Sequence, residues 1–186
     1  MDKLSYNVRG EGRTLVLLHG FLETSKMWNF LALEDSFQCV RIDLPGHGKS
    51  KSFDTIDSSM KKMAEAVIVV LDELKVDNYF LVGHSMGGYV GLELSRLDER
   101  LKKIVLMNST FWPDSDQKKA DRKRVATIVK HNKPLFLYEA IPNLFCDPNK
   151  YDAEIKEILA DAIEMKSSSI ANVSLAMSSR SGFEGE

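Results

Sequence analysis

The sequence predicts an α/β fold with a mostly parallel, doubly wound sheet and an added block of helices. Short apolar runs that end at glycine or proline alternate with helical patterns between residues 14 and 107, as they do in parallel βαβ units. The alternation then stops, and only helical periodicity recurs from residue 111 to residue 177. A chain of 186 residues is long enough for one domain that carries such an insertion.

Five segments have the apolar character of strands. The run Thr14–Leu18 is continuous and is soon followed by a glycine, which is typical of a strand buried on both faces. The other predicted strands are residues 4–8, 39–42, 79–82 and 103–107. Helical patterns cover residues 24–31, 58–74, 86–97, 117–130, 153–165 and 168–177. We expect Thr24 or Ser25 to cap the first of these helices.

The pattern along the chain predicts three parts. Residues 1–110 form the sheet core, and residues 111–177 form a helical cap that packs over the ends of the strands. Residues 178–186 form a tail without a strand pattern. Within the cap, Pro134 is expected to interrupt the helical stretch after residue 130, because proline removes a backbone donor.

Composition excludes several classes of partner. The formal net charge of −2 provides no broad positive field, so neither nucleic acid nor an anionic membrane is an expected partner. We see no signal peptide and no apolar run of about 18 residues. Cys39 and Cys146 are expected to be free thiols in the cytoplasm. Because no metal-ligand spacing occurs, neither a metal nor another cofactor is expected.

The most specific local signal is a G-x-S-x-G pattern between a predicted strand and a predicted helix, carried by Gly83, His84, Ser85, Met86, Gly87 and Gly88. In such an elbow the serine hydroxyl projects from a strained turn. Gly83 and Gly87 remove side chains that would collide with each other or with neighbouring strands. The backbone N–H of Met86 begins the helix and faces the position of a developing oxyanion. A glycine-rich turn that only packs tightly or cradles a phosphate is the alternative interpretation, but the flanking strand and helix, together with Gly88, favour the elbow.

A second oxyanion donor is expected in the loop after the run Thr14–Leu18. There Gly20 lets the backbone turn so that the N–H of Phe21 faces the same point as the N–H of Met86. His19 is interpreted as a residue that braces this loop. Loss of one such donor typically costs ~3 kcal/mol of transition-state stabilisation.

A rival motif lies after the strand at 39–42. Gly48, Lys49 and Ser50 resemble the end of a phosphate-binding loop, but Asp43 stands where that motif requires its first glycine. Pro45 also removes a backbone donor from the loop. We therefore interpret this segment as a shaped turn near the pocket.

Together these motifs resemble the α/β-hydrolase family, and most closely its small esterase-like members. The resemblance is strong over residues 1–110 and weaker over the cap. It implies that Ser85 is the nucleophile, that the N–H groups of Phe21 and Met86 form the oxyanion hole, and that the substrate is a small ester or related acyl compound. Aromatic side chains that could line the acyl pocket, or equally pack in the core, are Trp28, Phe111, Trp112 and Phe145.

The family's triad continues from serine to an acid and then to a histidine, which follow the seventh and eighth strands. The resemblance therefore implies a chain truncated after the cap, with the C-terminal strands, the acid and the base missing. Asp114 and Asp116 follow the strand at 103–107, where some relatives carry the acid. The four histidines are interpreted as structural or surface residues: His19, His47, His84 and His131.

Two alternatives to an esterase stay open. One is a catalytically incomplete fragment or non-catalytic interaction module, and the other is a carbon–carbon bond hydrolase or lyase on the same scaffold. The strand at 103–107 is expected to have an uncovered edge. We therefore expect the chain to be unstable alone or to form a homodimer or a segment swap through that edge, and a stable monomer in light scattering would contradict this.

Overall fold

The computed structural model describes residues 3–50 and 58–183. The strands are β1 (Tyr6–Arg9), β2 (Thr14–Leu18), β3 (Gln38–Ile42), β4 (Tyr79–His84) and β5 (Leu101–Met107). The helices are α1 (Met60–Glu73), α2 (Met86–Leu97), α3 (Asp116–Ala140), α4 (Asp152–Glu164) and α5 (Ser167–Ser178). Short 3-10 helices occupy Ser25–Phe30, Leu33–Asp35 and Pro142–Leu144. The predicted α/β class is confirmed.

The strands form one sheet in the order β1-β3-β2-β4-β5. β1 runs antiparallel to β3, and the other neighbouring pairs are parallel. β2 lies at the centre, so Val16, Leu17 and Leu18 are fully buried, as the continuous apolar run predicts. β5 is the edge strand of the described sheet, and its Val105 is 55% exposed. Pairing of this edge with a second copy stays a prediction.

The two faces of the sheet are covered differently. Val16 and Leu18 point to one face, where they share a core cluster with side chains of α1 and α2. Leu15 and Leu17 point to the other face and pack with Trp28. In the part of the chain that the structure describes, both α1 and α2 therefore cover the same face, and the cover over Leu15 and Leu17 is a 3-10 helix.

This 3-10 helix replaces the longer helix that the sequence predicts over residues 24–31. Thr24 caps it, since the Thr24 hydroxyl accepts a hydrogen bond from the N–H of Lys26 at 3.4 Å. Trp28 anchors the segment with no exposed surface, whereas Leu31 has left the helix and is 41% exposed. Besides Trp28, only Met27 of this segment packs on that face of the sheet, partly buried, so the segment does not bury a helical stripe.

α3 continues past the predicted break, although it is kinked. Asn132 has non-helical angles (φ −149°, ψ 76°), and helix resumes beyond it. The side-chain oxygen of Asn132 accepts a hydrogen bond from the N–H of Leu135 at 3.2 Å, so Asn132 caps the second half. Pro134 lies in the first turn of that half, where a missing N–H costs little.

The helices that follow β5 build a second core cluster. Leu137, Ile155 and Ile170, from α3, α4 and α5, pack there with Leu22 of the loop after β2. These helices thus pack against the loop that follows β2. α5 also contributes Val173, Ala176 and Met177 to the core of the sheet. Because α5 belongs to both clusters, the predicted division at residues 110 and 177 stays a prediction.

The segment after α5 docks on the sheet domain through Arg180. Its guanidinium lies 2.7 Å from one carboxylate oxygen of Asp114 and 3.8 Å from the centre of the Tyr89 ring. Arg122 binds the other oxygen of Asp114 at 3.2 Å. Asp114 is therefore the centre of a buried ion-pair cluster. Residues 184–186 of the predicted tail lie outside the described residues.

Candidate active site

β4 passes into α2 through Ser85, the residue at the tip of the predicted elbow. Ser85 has φ 49° and ψ −112°, a region that costs a residue with a Cβ atom about 1–3 kcal/mol. Three hydrogen bonds keep the backbone of Ser85 in this strained conformation. The N–H of Ser85 donates to Met107 O at 2.9 Å, and its carbonyl accepts from Ser109 Oγ at 2.7 Å and Gly88 N at 3.1 Å. The elbow is therefore tied to the end of β5.

Two glycines allow this turn for the steric reason that the sequence predicts. A Cβ atom on Gly83 would lie 2.5 Å from the carbonyl oxygen of Gly87. A Cβ atom on Gly87 would lie 2.3 Å from the carbonyl oxygen of Leu18, at the end of β2. Both contacts are with backbone atoms, which cannot move aside cheaply. The packing of α2 against β2 and β4 therefore requires glycine at both positions.

The expected oxyanion donors have no acceptor within the described ranges. Neither the N–H of Phe21 nor the N–H of Met86 donates to an oxygen of residues 3–50 or 58–183. Met86 is the first residue of α2, where a helix leaves its N–H groups without internal partners. The donors are thus available to a developing negative charge. Their role as an oxyanion hole stays a prediction.

His19 joins the loop after β2 to the turn after β3 through hydrogen bonds of its ring. Its Nε2 accepts a hydrogen bond from the N–H of Leu44 at 2.9 Å, so Nδ1 carries the proton and donates to the carbonyl of Gly20 at 2.8 Å. His19 is fully buried. Burial lowers the pKa of His19, which keeps the ring neutral and both hydrogen bonds in place.

The turn after β3 uses its donors within the loop. The carboxylate of Asp43 accepts hydrogen bonds from the N–H of Ser25 at 2.8 Å and the N–H of Lys49 at 3.0 Å. The Ser50 hydroxyl donates to the carbonyl of Asp43 at 2.6 Å. Burial alone would raise the pKa of Asp43, but these backbone donors hold it below its usual value. This closed turn favours the interpretation as a shaped loop over a phosphate site.

His47 lies inside the same turn and is fully buried. Its ring centre is 5.0 Å from that of His19, and its Nδ1 lies 3.1 Å from the carbonyl oxygen of Pro45. Burial, with a further contribution from His19, lowers the pKa of His47 to about 3. The folded chain therefore holds two neutral histidines in its interior.

We expect the free energy of unfolding to fall as the pH is lowered from 6.5. Below that pH the unfolded chain takes up a proton on His47 that the folded chain does not accept until about pH 3, so acid favours unfolding. For His47 the loss between pH 6.5 and pH 5 is about 2 kcal/mol. Denaturant unfolding at several pH values measures it.

The matched variants for this prediction are His47→Gln and His131→Gln. His131 is exposed on α3, so its replacement should not change how the free energy of unfolding varies with pH. His47→Gln should flatten the dependence between pH 6.5 and pH 5, because glutamine does not titrate. An unchanged slope in His47→Gln would contradict the assignment.

A cavity of about 660 Å³ opens beside Ser85, within the usual size range of small-molecule pockets. Its apolar wall is formed by Leu22, Met27, Phe30, Leu144, Phe145, Tyr151 and Ile158. Its charged side chains are Glu23, Lys26, Glu154, Glu157 and Asp161. The remaining lining residues are Thr24, His84, Ser85, Asn108 and Asn143. The cavity therefore joins the elbow and the loop after β2 to the cap.

Of the four predicted pocket aromatics, only Phe145 lines this cavity. Trp28 is fully buried on the face of the sheet opposite α1 and α2. Phe111 and Trp112 are 43% and 54% exposed outside the cavity, with ring centres 4.8 Å apart. These three residues therefore do not line this cavity, because burial of an aromatic ring depends on which elements pack against it.

Sequence reasoning missed the polar residues of the cavity. Glu23 lies in the loop after β2, and Glu154, Glu157 and Asp161 line the cavity from α4. The spacing of the last three along one helical face was a usable signal. The charged group of Asp161 is partly neutralised by Lys26, whose Nζ lies 2.7 Å from one carboxylate oxygen.

No histidine ring in the described part of the chain forms a hydrogen bond with Ser85 Oγ. His84 and Ser85 both line the cavity, but the ring of His84 binds Glu23 through Nδ1 at 2.9 Å. His131 is exposed and does not line the cavity.

Within the described chain, no group of three or more His, Cys, Asp or Glu side chains is arranged to hold a metal ion. None of its helices is long and apolar enough to span a membrane.

An elbow at the end of a central parallel strand defines a class of α/β proteins in which the strand-to-helix turn carries the functional residue. The sequence match is more specific. Residues 13–140, more than half of the chain, fit the family model described as alpha/beta hydrolase fold. This chain therefore belongs to the alpha/beta hydrolase family.

Two curated relatives show how much of a relative's length this chain covers. The uncharacterized hydrolase YugF of Bacillus subtilis is 35% identical over 103 residues, which cover 54% of this chain and 38% of YugF. A 2-hydroxy-6-oxononadienedioate/2-hydroxy-6-oxononatrienedioate hydrolase of Paraburkholderia phymatum is 40% identical over 114 residues, covering 56% of this chain and 39% of that protein. The chain thus spans well under half the length of these two relatives.

A solved structure matches over nearly the whole chain. The thermophilic esterase of Thermogutta terrifontis superposes with a TM-score of 0.88 at 29% sequence identity. The match covers 96% of this chain and 68% of the esterase. The fold described here is therefore shared with an esterase, including the part that follows β5.

Proposed function

We propose that this chain carries the nucleophile and the oxyanion hole of a serine hydrolase that cleaves small carboxylic esters. The observation that supports this most is the strained Ser85, which opens into the cavity beside two backbone donors without acceptors. Strain of this kind is found where a side chain must be presented for function. Likeness to the Thermogutta terrifontis esterase favours the same chemistry.

The proposed reaction has two steps. Ser85 Oγ forms a bond to the ester carbonyl carbon, and the N–H groups of Phe21 and Met86 stabilise the negative carbonyl oxygen. The bond to the leaving alcohol then breaks, and the proton from Oγ passes through a general base to that alcohol. Water repeats the sequence on the acyl-enzyme and releases the acid. The base itself is not assigned to any described residue.

The cavity favours uncharged acyl groups. Its apolar wall suits a short alkyl or aryl chain, whereas Glu154 and Glu157 on α4 would repel a substrate carboxylate. Carbon–carbon bond cleavage is the second candidate, because the Paraburkholderia phymatum relative is 40% identical. The substrate in that relative's name is a dioate, which fits these glutamates poorly. The ester proposal is therefore preferred.

Fluorophosphonate labelling followed by intact mass and peptide mapping tests the proposal. One adduct on Ser85 would mean that a base reaches the serine from this chain or from a second copy. Hydrolysis of neutral p-nitrophenyl esters in preference to carboxylate-bearing ones would support the substrate class. An unlabelled, folded sample would contradict the activity for this polypeptide and favour the non-catalytic alternative.

A cytoplasmic location completes the proposal. Cys39 is buried, Cys146 is exposed, and both are free thiols. Free thiols persist in a reducing compartment. Cell fractionation against compartment markers checks this, and recovery from an oxidising compartment would refute it.

A further inference from the structure

One carboxylate oxygen joins the nucleophile elbow to residues 19–23, the loop after β2 that carries the expected donor Phe21 and that we call the oxyanion loop. Glu23 Oε2 accepts a hydrogen bond from the N–H of Gly20 at 2.7 Å and lies 2.9 Å from Nδ1 of His84. Gly20 directly precedes the expected oxyanion donor Phe21, and His84 directly precedes Ser85. The two loops that must face each other around a substrate carbonyl are therefore bridged by a single atom.

The bridge is enclosed and closely fitted. The side chains of Glu23 and His84 are 11% and 21% exposed. A Cβ atom on Gly20 would lie 2.5 Å from Glu23 Oε2 and 2.8 Å from His84 Nδ1, so a larger residue at position 20 would displace both groups. Two donors on one oxygen also compensate a buried carboxylate for the loss of water.

The chemistry of the contact fixes the ring of His84. An ionised carboxylate can only accept hydrogen bonds, so Nδ1 of His84 must carry a proton. In the neutral ring this leaves Nε2 as the acceptor nitrogen. The tautomer of a residue that lines the cavity beside Ser85 is thereby set by Glu23.

We propose that Glu23 is a positioning residue that holds the oxyanion loop against the elbow and keeps a proton on Nδ1 of His84. The inference rests on the proposed function, because the distance between the N–H groups of Phe21 and Met86 matters only if they share an oxyanion. Without the bridge, the loop after β2 loses its link to His84. The N–H groups of Phe21 and Met86 are then no longer held at a fixed distance from each other. A shift of about 1 Å at such a site can cost on the order of 100-fold in rate.

Glu23→Ala, Glu23→Gln and Glu99→Ala separate positioning from charge and from general destabilisation. Glutamine keeps a carbonyl oxygen that can accept both hydrogen bonds but removes the negative charge. Glu99 is exposed in the turn before β5 and serves as the matched control. We expect Glu23→Ala to slow fluorophosphonate labelling of Ser85 about 10- to 100-fold. Glu23→Gln should stay within a few fold of wild type, and Glu99→Ala should match it.

A second readout does not depend on activity. Nitrogen-15 NMR of labelled histidines reports which ring nitrogen carries the proton, and His84→Gln identifies the signals of His84. We expect Nδ1–H in the wild type and in Glu23→Gln, and loss of that tautomer in Glu23→Ala. If wild-type Ser85 is not labelled at all, the proposed function fails, while the tautomer still tests the bridge.

The outcomes that overturn the inference are distinct. An Nε2–H tautomer of His84 in the wild type would show that the bridge does not form in solution. Equal labelling rates in wild type and a folded Glu23→Ala would show that it does not position the loop. If Glu23→Gln is as slow as Glu23→Ala, the charge matters rather than the hydrogen bonds.

Discussion

Replacement of Ser85 by alanine is expected to abolish fluorophosphonate labelling and to lower ester hydrolysis by about three orders of magnitude or more. The oxyanion donors and the cavity remain, so any residual rate comes from binding and charge stabilisation. The hydroxyl has no hydrogen-bond partner in the described part of the chain, so its loss removes no stabilising contact. We therefore expect an unfolding free energy within about 1 kcal/mol of wild type.

The control for this variant is Ser95→Ala, ten residues further along the same elbow helix. The Ser95 hydroxyl is exposed and donates to the carbonyl of Leu92 at 2.8 Å, away from the cavity. Labelling and hydrolysis should be unchanged in Ser95→Ala. Full activity in a folded Ser85→Ala protein would remove the serine from the mechanism and with it the proposed acyl-enzyme.

Replacement of Gly87 by alanine has the largest expected effect on the fold. Its Cβ atom would lie 2.3 Å from the carbonyl oxygen of Leu18 and 2.7 Å from that of His19. Both are backbone atoms of β2 and the loop after it, so α2 must move away. We expect a loss of about 3 kcal/mol or more in unfolding free energy. Because Met86 moves with the helix, labelling of Ser85 should also slow on the order of 100-fold.

Gly91→Ala is the matched control, because Gly91 lies on the same helix four residues later. Its Cβ atom would meet only the ends of flexible side chains, Leu81 Cδ2 at 2.7 Å and Ile104 Cδ1 at 2.8 Å. Alanine also favours helix over glycine by about 1 kcal/mol, which offsets the repacking. Denaturant unfolding compares the two variants. Equal stability of both would mean that the contact with β2 does not constrain the elbow.

The sequence by itself determined the features that depend on local pattern. The continuous apolar run Thr14–Leu18 predicted the buried central strand, because strands paired on both sides read as unbroken hydrophobic segments. The spacing of Gly83, Ser85 and Gly87 predicted the steric form of the elbow, since a Cβ atom on Gly83 would collide with Gly87 within the same turn. Helix boundaries at Met86–Leu97 followed from the same local signals.

Tertiary structure alone decided which side chains meet in the cavity. Trp28 is fully buried behind the sheet while Phe145 lines the pocket, although both are aromatic residues in apolar segments. Glu23 and His84 are 61 residues apart, and their contact exists only because β2 and β4 are neighbouring parallel strands. The packing of α4 likewise brings its glutamates into the cavity that Ser85 lines. Contacts between distant segments depend on how helices and sheet pack together, which local periodicity does not encode.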